Sequence, residues 1–367
     1  MFPLGFAPSP SGGGSGWGRS EASPALPRRG REFLWVLAAV CFLIGAPAVA
    51  ATPDSLQQDA AIQSLNRAYS AVVGVEVQAV DGSRSAETLG QQRSGSGVVI
   101  GADGLVLTIG YLMLEADTIQ VVTQDRRTLP ARAVAYDQAT GFGLVKTLLP
   151  LRGIAPAPLG SVADVRPGDA VLAATGGEDG DIDMARVVDK RPFTGYWEYA
   201  IDVALFTSPP IDNHSGAAVF NQRGELLGIG SLFVGDATGN GRRLPGNMFV
   251  PVDLLKPILS EMQQTGSTRA SRRPWLGLTS SEAQGRVEVV RVSKDSPAEQ
   301  VGMKAGDVVL AVEGQRVATL EEFYKTLWAR GTPDADLTLT VLQGPDVKNI
   351  RVKPVDRTTT IKKPPGI

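Results

Sequence analysis

From residue 54 the chain first spaces its apolar residues at helical intervals. Leu56, Ala60, Ile62 and Leu65, up to about Tyr69, fit a short amphipathic helix capped by Asp54 or Ser55. At Ala71 the period changes to that of a strand, with Val73, Val75 and Val77 alternating. Ser96 to Ile100 and Leu105 to Thr108 flank Ala102-Asp103-Gly104, a strong hairpin signal. Further short β segments follow at 119–122, 131–135, 143–147, 170–174, 200–205, 217–220, 226–229 and 248–251. Many short strands, Gly-rich turns and almost no helix between them predict an all-β barrel or a pair of barrels.

Helical spacing returns at Val252 to Gln264 through Leu254, Leu255, Ile258, Leu259 and Met262, predicting a helix that closes this first domain, 71–265. The stretch 266–273 is polar and reads as a linker. The pattern then restarts as a block of small-domain size, 274–354. It has a strand at Val287 to Val292, a short helix from Pro297, a strand at Val308 to Leu310, a helix from Leu320 to Arg330 and a final β pair. Residues 355–367 form a basic, Pro-containing stretch expected to be a disordered tail.

Residues 1 to 30 are rich in Gly, Ser and Pro without apolar periodicity. Arg28, Arg29 and Arg31 precede an apolar run from Phe33 to Ile44 and then Ala48-Val49-Ala50. This is the layout of a secretory signal peptide over 1–50, with residues 51–70 as the N-terminal helical segment of the exported chain. An uncleaved membrane anchor is the rival reading, although Gly45 and Pro47 interrupt a run already short for a span. The only cysteine, Cys41, lies inside this leader, as suits export to an oxidising, periplasmic compartment without a structural disulfide.

Charge is nearly balanced, 36 Lys and Arg against 38 Asp and Glu, so nothing global favours nucleic acid or an anionic membrane surface. Membrane contact is expected only through an uncleaved leader. The acidic stretch Glu178 to Asp183 lacks the spacing and distal Glu of a calcium loop and reads as a solvated surface loop, so no metal or other cofactor is expected. Tyr196, Trp197 and Tyr199 lie together ahead of a strand, where they pack on the barrel rim or offer an aromatic surface to an extended peptide.

Candidate chemistry centres on Asp212-Asn213-His214-Ser215-Gly216-Ala217-Ala218-Val219-Phe220-Asn221, a small-residue loop that presents a serine and runs into an apolar strand. With Gly95-Ser96-Gly97-Val98-Val99-Ile100, Gly104-Leu105-Val106-Leu107-Thr108 and Phe249-Val250-Pro251, it resembles the trypsin-like HtrA (DegP) family of serine proteases. The resemblance covers about 71 to 265 and implies a trypsin-like double β-barrel with Ser215 at the nucleophile position. Trp275-Leu276-Gly277-Leu278, Asp295-Ser296-Pro297-Ala298 and Gly302 to Val308 make the second block similar to a bacterial PDZ domain, a small α+β fold.

A protease of this type needs a histidine to take the serine's proton, an acid to orient the imidazole, and N–H donors for the oxyanion. On the family's pattern the histidine position falls at Tyr111, the acid position at Gly141, and the oxyanion-hole glycine at Asn213, next to His214. A phenol is a poor base at neutral pH. His214 is the only histidine of the chain, and a sequence neighbour of Ser215 projects away from it in extended backbone. Lys146 or Lys190 as a base, and Asp137 or Asp212 as a carboxylate, stay open because no spacing places them.

The PDZ resemblance implies that backbone N–H groups at Trp275, Leu276, Gly277 and Leu278 receive a peptide's terminal carboxylate beside a helix carrying Phe323 and Leu327. The groove's alternative occupant is the protein's own barrel or tail. Two functions follow as expectations. One is an exported pseudoprotease that binds unfolded or C-terminal peptide segments of envelope proteins, as adaptor or chaperone-like factor. The other is an active periplasmic endopeptidase using Ser215 with a non-standard base. A purely structural envelope subunit is a third. The family resemblance implies a trimer, while the sequence carries no trimer signature and leaves the assembly open.

Overall fold

The structure, a computed structural model, describes residues 53–329, 333 and 335–361. The leader expected over 1–50 lies outside the described residues, and among them no helix is long and apolar enough to cross a membrane.

Helix α1 (Pro53–Ser70) leads into β1 (Val72–Ala79), the short α2 (Ala86–Leu89), β2 (Gln92–Val99), β3 (Leu105–Ile109), β4 (Ala116–Val122), β5 (Thr128–Tyr136) and β6 (Phe142–Thr147). The strands close into a barrel in the order β1-β2-β3-β6-β5-β4. A second barrel, β10-β11-β12-β9-β8-β7, is built from β7 (Ala170–Ala174), β8 (Ile182–Gly195), β9 (Tyr199–Ser208), β10 (Ala218–Phe220), β11 (Leu226–Val234) and β12 (Gly246–Pro251). The valines of β1 are buried while Glu76 stays in solvent. One core runs through both barrels and includes Val75, Leu107, Phe142, Phe206, Phe220 and Ile229. The barrels meet where side chains are missing. A Cβ on Gly74 would lie 2.6 Å from Gly177 Cα, and one on Gly176 would lie 2.2 Å from the carbonyl carbon of Val73. Backbone therefore packs on backbone at the seam, which only glycine permits.

The helix expected over 252–264 is shorter. Residues 252–258 form successive turns, and α3 (Leu259–Thr265) starts beyond them. The cause is Pro257, which has no N–H and whose ring clashes with the carbonyl four residues back. Gly266, at φ 76°, ends α3 in the left-handed conformation.

The stretch expected to be a flexible linker, 266–273, is packed against the first barrel. The hydroxyls of Thr268 and Ser271 both donate to one carboxylate oxygen of Asp137, which is fully buried. Thr140 donates to the other oxygen from its N–H at 2.9 Å and its hydroxyl at 2.6 Å.

The second unit carries β13 (Pro274–Trp275), β14 (Leu278–Ala283), β15 (Arg286–Val292), α4 (Pro297–Gln300), β16 (Val308–Val312), β17 (Gln315–Arg316), α5 (Leu320–Trp328), β18 (Leu337–Gln343), β19 (Asp346–Val352) and β20 (Val355–Asp356). Its sheet runs β14-β15-β16-β18-β19, with β17 on β16, so β14 is an edge strand. A capping box between Thr319 and Glu322 starts α5. Leu276, Val289, Val309, Phe323, Leu327 and Leu339 belong to a core of its own. The tail expected to be disordered from 355 is ordered through Ile361: β20 pairs with β13, and Arg357–Thr360 form a 3-10 turn. Arg357 stands over the Trp275 ring, 5.8 Å from its centroid.

Asp137→Ala leaves buried hydroxyls without an acceptor, so it is expected to lower unfolding stability by about 2–4 kcal/mol, measured by denaturant titration of the two chains.

Candidate functional site

Ser215 sits on the tight turn ahead of β10. Its carbonyl accepts from Ser96 N–H at 2.8 Å, and Gly216 N–H donates to the Gly230 carbonyl at 2.8 Å. Gly216 takes φ +75°, where a Cβ would fall 1.9 Å from the Ser96 carbonyl oxygen, so only glycine fits beside the serine. Asn213, at the expected oxyanion-hole position, accepts the left-handed conformation at φ 51°. Asparagine tolerates that region better than most residues, so the turn forms without a glycine at 213.

Facing Ser215 is Tyr111, in the 3-10 turn Gly110–Met113 that follows β3. Its hydroxyl lies 2.7 Å from Ser215 Oγ and 3.0 Å from the Ser231 carbonyl oxygen. A phenol has one proton and a carbonyl none. When Tyr111 donates to Ser231, the serine must therefore donate to Tyr111. Burial pushes the phenol pKa up to about 12, against a smaller downward pull from its hydrogen bond to Ser215. At pH 7 the phenolate is then on the order of one molecule in 10⁵.

Arg93 fixes this turn in place. Only 6% exposed, its guanidinium donates to the carbonyls of Tyr111, Leu112 and Leu114 at 3.2, 3.4 and 2.7 Å, and to Ser85 Oγ at 2.7 Å. Gly141, at the expected acid position, joins the same turn through backbone: Gly110 N–H donates to its carbonyl at 2.7 Å. Gly141 takes φ +87°, and a Cβ there would lie 3.4 Å from the Tyr199 hydroxyl. That hydroxyl donates to the Thr140 carbonyl at 2.6 Å. Tyr199, to which the sequence assigned only a packing or surface role, fills the space beside Gly141.

The other candidates are placed elsewhere. Lys146 Nζ pairs with Asp103 at 2.6 Å, at the tip of the first-barrel hairpin. Lys190 Nζ donates to the carbonyls of Val162, Ala163 and Val165 at 2.7, 3.1 and 3.3 Å. Asp137 is committed to Thr140, Thr268 and Ser271. His214 is half-buried; burial lowers its pKa, with Asp212 opposing, and its carbonyl accepts from Ala217 N–H at 3.1 Å. Among the described residues, the side chain bonded to Ser215 Oγ is Tyr111.

In the second unit the loop between β13 and β14 gathers three N–H groups on one carboxyl group. Gly277 and Leu278 each donate to Glu198 Oε1 at 2.8 Å, and Leu276 donates to Oε2 at 3.1 Å. Trp275, expected in this set, instead pairs with Val355 through β13 and β20. Phe323 and Leu327 are fully buried in the core, and the α5 residue that reaches the turn is Tyr324, whose hydroxyl accepts from Glu198 N–H at 3.1 Å. Glu198 closes the three-residue turn between β8 and β9 at φ 57°. A non-glycine residue there bears a strain of roughly 1–2 kcal/mol. Burial outweighs the three donors and the positive field of Arg357, and it raises the Glu198 pKa to about 7. Sequence analysis missed Glu198 and Tyr324, because a contact between residues this far apart leaves no periodic trace.

The comparisons with known proteins agree with this architecture. The chain matches the trypsin-like peptidase domain over residues 95–229 and the PDZ domain over residues 274–353. It is 26% identical over 283 residues to a probable periplasmic serine endoprotease, DegP-like, of Hahella chejuensis, across 71% of this chain and 57% of that protein. To the serine endoprotease DegS of Haemophilus influenzae it is 26% identical over 259 residues, 68% of this chain and 73% of that one. It therefore spans little more than half the length of the first relative. Among solved structures it is similar to the HtrA-type protease AlgW with decapeptide, with a TM-score of 0.51 at 20% identity over 83% of this chain and 99% of that chain. The serine endoprotease from Yersinia pestis gives 0.50 at 23% identity over 81% and 97%. At such identities the structural likeness establishes the fold.

Two outcomes follow from the ionisations. The phenolate absorbance missing from Tyr111→Phe, read as a difference against the wild type, is expected to emerge only above about pH 11. Glu198 has a folded pKa above its ordinary value, so its contribution to stability is complete below about pH 4.3 and is lost as pH rises through 7. The lead in Tm of wild type over Glu198→Gln should shrink between pH 5 and pH 8; a lead that grows over this interval would contradict the assignment.

Proposed function

We propose that this chain, a trypsin-like peptidase domain followed by a PDZ domain with DegP, DegS and HtrA serine endoproteases as homologues, is an exported pseudoprotease. It binds extended or C-terminal peptide through the PDZ domain, as an adaptor or chaperone-like factor in envelope protein quality control. One observation carries the reading: the group 2.7 Å from Ser215 Oγ is a phenol with a pKa of about 12. General-base catalysis needs a group that is unprotonated at the working pH and able to hold the proton it takes. Tyr111 is protonated there and has one proton to offer, to Ser215 Oγ at 2.7 Å or to the Ser231 carbonyl at 3.0 Å. At the acid position Gly141 has no side chain, and Tyr199 occupies the space beside it. Periplasmic placement rests on similarity to a probable periplasmic endoprotease together with the signal-like leader.

A second reading, an active periplasmic endopeptidase with a non-standard base, is favoured by the retained Ser215-Gly216 turn and by relatives named as endoproteases. The lysines weighed for that base are held elsewhere, by Asp103 and by the carbonyls at 162–165.

Fluorophosphonate labelling of the full-length chain beside Ser215→Ala, with digestion of unfolded casein, separates the two. Neither protein is expected to label or to digest. Labelling and digestion that are present in the wild type and absent from the variant would establish the peptidase reading instead.

A further inference from the structure

We infer that the Tyr196–Glu198 turn of the second barrel is an internal ligand of the PDZ groove, seated where a peptide's terminal carboxylate binds, so that a partner with a free C-terminus must displace it. The inference rests on the peptide-binding reading above and specifies its regulation.

The turn makes the contacts that an added peptide would make. Its carboxyl group takes the N–H groups of Leu276, Gly277 and Leu278 at 3.1, 2.8 and 2.8 Å. Its backbone takes the next outward-facing amide of the edge strand, because Ser280 N–H donates to the Tyr196 carbonyl at 2.8 Å. Alternate N–H groups of an edge strand point away from the sheet, and those of 278 and 280 are the ones an extended peptide would use. On the opposite wall Glu198 N–H donates to the Tyr324 hydroxyl at 3.1 Å, and Ala200 packs against the PDZ core. The groove is thus occupied on both walls and at its carboxylate end.

The loop itself is shaped for a carboxylate. Gly277 takes φ +86°, and a Cβ there would lie 2.2 Å from Ser296 Cβ, so the N–H groups converge only because this position is glycine. The turn, in contrast, places a glutamate at φ 57°, a position suited to glycine or asparagine. A hairpin that needed only to reverse direction would not put its strained residue and its carboxyl group in the same place. The displacing partner is a peptide with a free α-carboxylate, because the N–H groups of Leu276, Gly277 and Leu278 converge on one carboxyl group.

An internal ligand lowers apparent affinity by the fraction of molecules that are closed, so removing it should tighten peptide binding. The test uses the full-length chain and Glu198→Ala, each titrated with a fluorescent heptapeptide pool randomised at its last three positions, against the same pool C-terminally amidated. Binding of the free-carboxylate pool is expected to be about tenfold tighter or more in Glu198→Ala, with the amidated pool bound by neither. Equal binding by both chains would overturn the internal ligand while leaving peptide binding intact. Binding by neither would overturn both. Should the variant fold poorly, hydrogen exchange of the wild type supplies the readout. Saturating free-carboxylate pool is expected to speed exchange in segment 195–199, and unchanged exchange there under confirmed binding would overturn the inference.

Discussion

The hydroxyl contact between Tyr111 and Ser215 closes the seam between the two barrels, and the surrounding chain is arranged to keep it closed. Ser215 is held from its backbone side by Ser96, and Tyr111 from its own side by the guanidinium of Arg93. Each anchor is itself nearly inaccessible, Ser96 at 1% and Arg93 at 6% exposure. Buried polar groups stay paired because leaving one unpaired costs more than a made bond returns. The phenol is therefore fixed by the need to satisfy its neighbours, and its acidity follows from the same burial. A serine in this seat meets a phenol 2.7 Å away whose pKa burial raises.

That seam is mechanically continuous with the PDZ domain. Gly110 is bonded to Gly141, and the neighbouring Thr140 carbonyl accepts from the Tyr199 hydroxyl. Tyr199 stacks on Trp197 with centroids 5.4 Å apart and an interplanar angle of 11°. The next residue, Glu198, reaches the carboxylate loop. The aromatic cluster thus links Gly141 to the loop at 276–278 through groups in direct contact. The ordered segment 266–273 makes a second connection, through Thr268, Ser271 and Asp137.

How much of this could be read in the sequence depends on the range of each interaction. Strand alternation at Val73, Val75 and Val77, the hairpin at 102–104 and the helix from Leu320 are local patterns, and the structure has strands, a turn and a helix at those places. The helix expected from Val252 came from apolar spacing alone, and Pro257 overrides spacing by removing a donor. The tail at 355–361 is ordered by a two-residue pairing with Pro274 and Trp275, too short to leave any period. The sequence singled out Tyr111 and Gly141 by comparison with a motif, and the contact of Tyr111 with Ser215 and the space taken by Tyr199 came from the structure. Glu198 was invisible for a different reason: its hydrogen bonds to the loop span 78 to 80 residues, and nothing in a local window marks a glutamate as a ligand.

The Glu198 seat also shows why a closed groove need not be a permanently closed one. Its carboxyl group is buried, its backbone is left-handed, and the raised pKa is the mark of a group that would be better solvated outside. Three N–H groups and the Tyr324 hydroxyl offset these costs. A peptide terminus offers the same N–H groups a carboxylate, and it leaves Glu198 free to return to water and to relax its backbone. The exchange therefore conserves the hydrogen bonds of the loop and releases the strain and desolvation of the turn. What opposes it is the effective concentration of a ligand on the same chain. Opening is then set by partner concentration against the intrinsic affinity of the groove scaled by the open fraction.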